Sequence, residues 1–240
     1  MKAPLLAVAL CLAGTLCHGS EPGTYDARYQ AKALGMTAKA TRQQSLTSDQ
    51  HFLLENKLSL TILGANVGTV VESSEFRWVA DTLEALHYRY SQTGIRSTQE
   101  SIDFDWGSGQ ANSSSDKGAW EVALSPGLLD KLSYNVRLGL DLQDSSEQTE
   151  FRYNILDKDE IKEQVYRVSA REVLNTPLGR LNTVKIERVR DDNSQRSTTV
   201  WLALDWDYLL VRLEQVSSSG TITELMLESA IVNDQAVTGL

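Results

Sequence analysis

Apolar and polar residues alternate along most of this chain. From Tyr25 to Ala31 the order Tyr25, Asp26, Ala27, Arg28, Tyr29, Gln30, Ala31 keeps a period of two. The same beat returns in Leu58–Ile62, Leu86–Tyr90, Ile102–Trp106, Phe151–Ile155, Val184–Glu187 and Val211–Glu214. Such alternation sends one row of side chains into a core and the other into water, as in half-buried antiparallel strands. Turn chemistry punctuates it at Gly64-Ala65-Asn66, Gln92-Thr93-Gly94, Gly107-Ser108-Gly109, Asp116-Lys117-Gly118, Thr176-Pro177-Leu178-Gly179, Asp191-Asp192-Asn193 and Ser218-Ser219-Gly220. The pattern predicts a mainly β protein whose antiparallel, curved sheet forms an open or closed barrel.

One segment breaks the beat. Ser125-Pro126 reads as an N-cap and first-turn pair, and Leu128, Leu132, Val136 and Leu140 then recur every fourth residue, with Leu129 widening the stripe. The spacing predicts a central amphipathic helix over about residues 126–141, roughly four turns long, which Gly139 could end early. Its stripe needs cover, and the concave face or mouth of the sheet is the natural place. No composition shift marks a linker, so residues 20–240 read as a single β-rich domain.

The first residues read as an address. Met1 and Lys2 precede an uncharged apolar run to Leu16, and Cys17-His18-Gly19 supplies small residues for a peptidase. This predicts a secretory signal over residues 1–19, cleaved near Gly19 and too short to span a bilayer. Both cysteines follow leucine (Leu10 and Leu16), whereas lipidation wants a small residue there. Cleavage would remove Lys2, His18 and both cysteines, taking the net charge from −9 to −10. A core without disulfides would then hold the fold. No later segment is long and apolar enough to cross a membrane as a helix.

Composition narrows the partners. The 240 residues are 41% hydrophobic and 23% charged, enough for a sizeable core. With Lys and Arg at 23 against 32 for Asp and Glu, neither nucleic acid binding nor adsorption to anionic lipid by charge alone is expected. The short motifs of nucleophilic, metal and phosphate-transfer chemistry are absent, so no enzyme activity, cofactor or metal site is expected. His51 and His87 read as surface residues. Asp103 and Asp105 share the solvent row opposite Ile102, Phe104 and Trp106, and Asp205-Trp206-Asp207 reads as a turn.

Two features point to binding. Counting by two from Val184 and Ile186 puts Arg188 on the apolar side. A bulge there, an internal ion pair, or an anchor for an anionic head group would each account for it. The inward rows are also rich in aromatics, while Ala27, Ala31, Ala38 and Ala40 are small enough to leave a hollow. A close-packed core is one outcome. The other is a ligand cavity lined by Trp78, Tyr88, Tyr90 and Tyr153, because inward phenols need hydrogen-bond partners or water.

The run Tyr166-Arg167-Val168, the stretch Leu174 to Arg188 with its Thr176-Pro177-Leu178-Gly179 turn, Thr199 to Ala203 and Asp207 to Gln215 together resemble the bacterial exported family known as domain of unknown function 3108. Tyr25-x-Ala27-x-Tyr29, Arg89-Tyr90, Phe104-Asp105-Trp106 and Pro126-Gly127 extend the likeness over nearly the whole chain after residue 19. Leu210 departs from it, since a proline is expected there. The resemblance implies a cell-envelope protein in the periplasm of a two-membrane bacterium, and it transfers no catalytic residue. At the level of fold alone, the build is similar to periplasmic lipoprotein carriers and to anti-sigma regulators that bind lipid signals.

The resulting expectation is an exported, non-enzymatic module that binds or carries an apolar small molecule or a lipidated protein segment. The alternative is a structural interaction module of an envelope assembly, with a packed core and an exposed strand edge or helix as its contact.

Overall fold

A computed structural model describes residues 21–63, 65–94, 97–145, 147–190 and 194–240. The expected signal and its cleavage near Gly19 lie outside the described residues, as does the turn at Asp191-Asp192-Asn193. The first meander comprises β1 (Tyr25–Ala33), β2 (Met36–Leu46), β3 (Phe52–Ile62) and β4 (Ala65–Val79). It continues through β5 (Thr82–Gly94), β6 (Thr98–Asp105), β7 (Gln110–Ser115) and β8 (Gly118–Ala123). Helix α1 (Tyr134–Asp144) follows. The second meander holds β9 (Glu150–Asp157), β10 (Glu160–Thr176), β11 (Gly179–Val189) and β12 (Ser197–Ala203). It ends with β13 (Leu209–Val216), β14 (Ile222–Val232) and the short β15 (Gln235–Ala236).

All of these strands join one curved sheet in the order β8-β7-β6-β5-β4-β3-β2-β1-β14-β13-β12-β11-β10-β9, with β15 beside β14. Sequence neighbours other than β8 and β9 pair antiparallel, and β1 meets β14 from Tyr25 opposite Val232 to Ala33 opposite Thr223. The sheet does not close, because β8 and β9 stand at opposite ends of the order. The chain between them must therefore cross the opening, and it takes its apolar residues across with it. Leu129 bridges Ile155 on β9 in parallel and so covers part of that edge.

The helix begins later than the leucine spacing suggests. Residues 126–133 form turns, with Gly127 at a φ of 77°, a left-handed value that suits glycine. Leu128, Leu129 and Leu132 are buried as expected, yet they sit on an irregular segment ahead of α1. Asp130 organises that segment. Its Oδ1 accepts the backbone N–H groups of Leu132 and Ser133, while the Ser133 hydroxyl accepts the Asp130 N–H. This reciprocal pair is a capping box one turn early. Ser74 on β4 donates to Asp130 Oδ2 at 2.6 Å, which ties the plug to the sheet.

Two clusters form the core. The larger joins Leu54, Phe76, Leu83, Tyr88 and Ile102 to Leu128, Leu132, Leu138, Leu142, Ile155 and Ile186 inside the curve. The smaller joins Tyr29, Leu181, Leu209, Val211, Leu227 and Val237 across β1, β11, β13 and β14. The inward row extends upward on β3 and β13, but there Leu58, Leu60 and Leu213 are only half-buried. One end of the curve is filled and the other stands open. The turns β1/β2, β3/β4, β11/β12 and β13/β14 rim the open end; α1 lies toward the other, where Arg137 donates to Asp81 O and Tyr208 to Leu142 O.

Candidate functional site

The aromatic residues picked out from alternation do face inward, but they do not gather around one void. Tyr88 is buried, and its hydroxyl donates to Glu72 Oε1 at 2.8 Å. Tyr153 is buried and donates to Asp141 Oδ2 at 2.7 Å on α1. Trp78 lies half-buried with the Arg137 guanidinium over its ring at 5.8 Å. Tyr90 bonds Gln92 at 3.0 Å and borders a polar surface hollow with Arg89, Glu100 and Ser101. Each phenol has found a protein partner. The outer row behaves as alternation requires: His87 and Arg89 both meet Asp103, and although burial works upward, these hydrogen bonds hold its carboxyl below the usual range. No cluster of three metal-ligating side chains occurs among the described residues.

Arg188 keeps strand register, since the bulge in the β10/β11 pair lies at Val168/Ala170. It is half-buried opposite Tyr166, whose ring stacks on Tyr134 of α1 at 5.2 Å. No carboxylate among the described residues pairs with it at ion-pair distance.

A slot runs along the flank of α1, between the helix and β1, β2, β12 and β13. Its volume is about 120 Å³. Val136, Leu138 and Leu140 form the helix side, and Val200, Leu202, Leu210 and Leu213 form the sheet side. On β13 alone the lining runs from Leu209 to Gln215, roughly 20 Å of strand. A few polar groups interrupt it. Arg42 Nε donates to the Tyr25 hydroxyl at 2.8 Å, Tyr29 donates to Leu210 O at 2.9 Å, and the buried Gln44 Oε1 accepts nothing. Burial pushes the Tyr29 phenol far above its ordinary pKa, so it stays a neutral donor.

Above the slot lies a polar hollow of about 280 Å³ lined by Arg190, Arg196, Ser197, Thr198, Gln215, Val216, Ser217, Thr221 and Thr223. Thr198 and Gln215 line both spaces, so the apolar slot and the polar hollow are neighbours. No carboxylate lines the hollow. Arg190 donates to Thr198 Oγ1 at 3.1 Å, while its Nε is buried with no acceptor. Burial first, then the Arg188 and Arg196 guanidiniums, push Arg190 below the ordinary arginine value. Three arginines crowd together in a chain of net charge −9.

Sequence reasoning found Arg188 but missed Arg190, Arg196, Arg42 and the cavity lining. A signal was present, since Arg190 continues the inward count of two from Ile186 through Arg188. The slot had none, because it depends on where α1 begins.

A β-barrel-like protein of domain of unknown function DUF1849 from Brucella abortus matches with a TM-score of 0.57 and 8% identity, covering 88% of this chain and 98% of its own. That likeness is one of fold. A candidate lipoprotein from Parabacteroides distasonis gives a TM-score of 0.29 at 12% identity over 88% and 96% of the two chains. The Pseudomonas aeruginosa MucA/MucB complex gives 0.16 at 7% identity over 86% and 88%. Neither score supports an inference about this chain. No curated protein matches it. The resemblance in the Thr176–Gly179 turn and the strands around it extends much further, for the model of the family described as protein of unknown function (DUF3108) matches residues 24–227, and the chain belongs to that family.

Proposed function

We propose that this protein is an exported, non-enzymatic binding module of the cell envelope whose ligand is an amphiphile with an anionic head. The carrying observation is the adjacency of the apolar slot beside α1 to the arginine-lined hollow, which share Thr198 and Gln215 in their walls. A chain-like apolar tail fits a narrow, long space better than a compact ring system would. An anionic head would take the free Nε of Arg190 and relieve the repulsion among Arg188, Arg190 and Arg196. Arg188 acts here through its charge. The apolar run before Cys17 supports export.

The test begins with organic extraction of the purified protein and mass spectrometry of the extract. The delipidated protein is then titrated with a fluorescent fatty acid and with its uncharged alcohol. Arg190→Gln should weaken the acid by about tenfold, the usual worth of one charge-assisted bond, and leave the alcohol unchanged. Absence of probe binding by the wild type, together with empty extracts, would overturn the reading.

A second reading has one observation in its favour. Strand β8 ends the sheet order with no strand on its outer side, so its backbone groups could take an added strand from a partner.

A further inference from the structure

The rim of the open end is uneven. Exposed large apolar side chains occupy the tips of three consecutive hairpins: Leu34 and Met36 on β1/β2, Leu63 on β3/β4 and Ile222 on β13/β14. Leu63 is 103% exposed and Leu34 is 74% exposed. Single exposed leucines are ordinary. These are neighbours, because the strand order β4-β3-β2-β1-β14-β13 places their turns side by side. At the usual strand spacing the row is roughly 20 Å long. Leu34 and Leu63 also hold left-handed backbone values, φ 51° and φ 49°, where a leucine does nothing for the turn that glycine or asparagine would not do better.

Charge singles out the same arc. Residues 27–48 contain no Asp or Glu but carry Arg28, Lys32, Lys39 and Arg42; residues 56–71 contain none and carry Lys57; residues 215–223 hold no charge at all. Lys32 and Lys39 are exposed two and three residues from Leu34 and Met36, whereas the exposed Lys57 lies about 20 Å down β3 from Leu63. Glu224 stands opposite Lys32 but is engaged by Arg212 at 2.9 Å. Across the mouth the β9/β10 hairpin carries Asp157, Asp159, Glu160 and Glu163 against Lys158 and Lys162, a net acidic segment whose lysines are paired with Asp157 and Glu160. The net charge of the whole chain therefore misdescribes this arc.

We propose that the apolar tips Leu34, Met36, Leu63 and Ile222 dock onto the surface of an anionic lipid bilayer, with Lys32 and Lys39 meeting its head groups. Aliphatic tips with a cationic collar behind them match the layering of a membrane interface, apolar inside and negatively charged outside. A protein partner of ordinary composition offers no such sequence of layers. Docking in this orientation would set the mouth of the slot against the lipid, since Ile222 lies between Thr221 and Thr223 of the polar hollow. The inference concerns the rim and stands apart from what the slot binds.

Co-sedimentation with vesicles tests it, using protein expressed from the full sequence. Wild type should pellet with vesicles containing phosphatidylglycerol and far less with pure phosphatidylcholine. The double variant Leu34→Asp/Leu63→Asp should lose about tenfold or more in binding, with unchanged near-ultraviolet dichroism because both side chains are already in water. Arg190→Gln should bind vesicles like wild type, which separates a failure here from a failure of the ligand reading. In Leu63→Trp, the added indole should shift its emission to the blue on contact with anionic vesicles. Equal pelleting of wild type and the double variant would overturn the proposal. So would a wild type that binds no vesicle, including one that instead forms a dimer sensitive to the same two substitutions.

Discussion

The two ends of the curved sheet are built from the same strands and packed in opposite ways. On β3, Leu54 is fully buried, while Leu58, on the same face four residues on, is half-exposed. On β4 the pair is Phe76 and Val70. The inward row does not change in character between the ends; its cover does. Leu128, Leu132, Leu138 and Leu142 fill the curve where the chain crosses from β8 to β9, and Lys131 of that segment reaches Glu100 and Asp157, whereas the arc of Leu58, Leu60 and Leu213 stays half-exposed. Alternation decides which face is apolar. It leaves open how far along that face a filling segment extends.

The sharpest way to break this comparison is to cut the same kind of side chain from each end. Phe76→Ala removes a fully buried ring stacked on Phe52 at 5.5 Å and should cost about 3–5 kcal/mol. Leu213→Ala in the slot lining should cost only about 1 kcal/mol, because little area leaves contact with neighbours. Urea unfolding measures both, and equal losses would mean that the open end is as well packed as the filled one.

Asp130 comes next. Asp130→Ala strands two backbone N–H groups and the Ser74 hydroxyl in the core, for an expected loss of about 2–3 kcal/mol. Asp130→Asn keeps an acceptor at the same place and should recover most of that loss. If both variants unfold alike, the capping box does not hold the plug.

The smallest effect is a pH dependence at the boundary between the ends. Burial raises the Glu72 carboxyl above its ordinary value, although the Tyr88 hydrogen bond works the other way. A carboxyl whose folded pKa exceeds its unfolded one holds its proton more tightly when folded, so its contribution is complete at low pH. That contribution is lost as pH rises from the ordinary glutamate value through the raised one. Glu72→Gln should therefore show a flatter stability profile across that window than wild type. A steeper profile in the variant would reverse the sign.

Much of the architecture was legible in the order of residues. Tyr29, Leu60 and Ile186 each face inward where the period of two put them, and a curved antiparallel sheet follows from many such strands. The helix was legible in type and general place, but not in its start. Leucines four apart at Leu128 and Leu132 are buried for a reason unrelated to helical faces: one turn segment carries them over the gap between β8 and β9. The Asp130-Lys131-Leu132-Ser133 capping box was the better marker, and it stands immediately before Tyr134. The aromatic residues left two outcomes open. Inward phenols need hydrogen-bond partners or water, and Glu72, Asp141 and Gln92 are the partners of Tyr88, Tyr153 and Tyr90. Arg188 pointed toward the basic hollow, but only three-dimensional proximity brings Arg190 and Arg196 to it.

The seam between β1 and β14 sets the order of assembly. Each meander can zip from contacts close in sequence, whereas Tyr25 meets Val232 only after almost the entire chain has been made. Until then both β1 and β13 carry bare edges, and the sheet cannot acquire its curvature. A sheet whose first long strand must meet one near the other end of the chain is slow to commit to its fold. For the same reason, removing β14 would do more than shorten the protein, since it would leave β1 and β13 as two sticky borders where the native fold has a continuous surface.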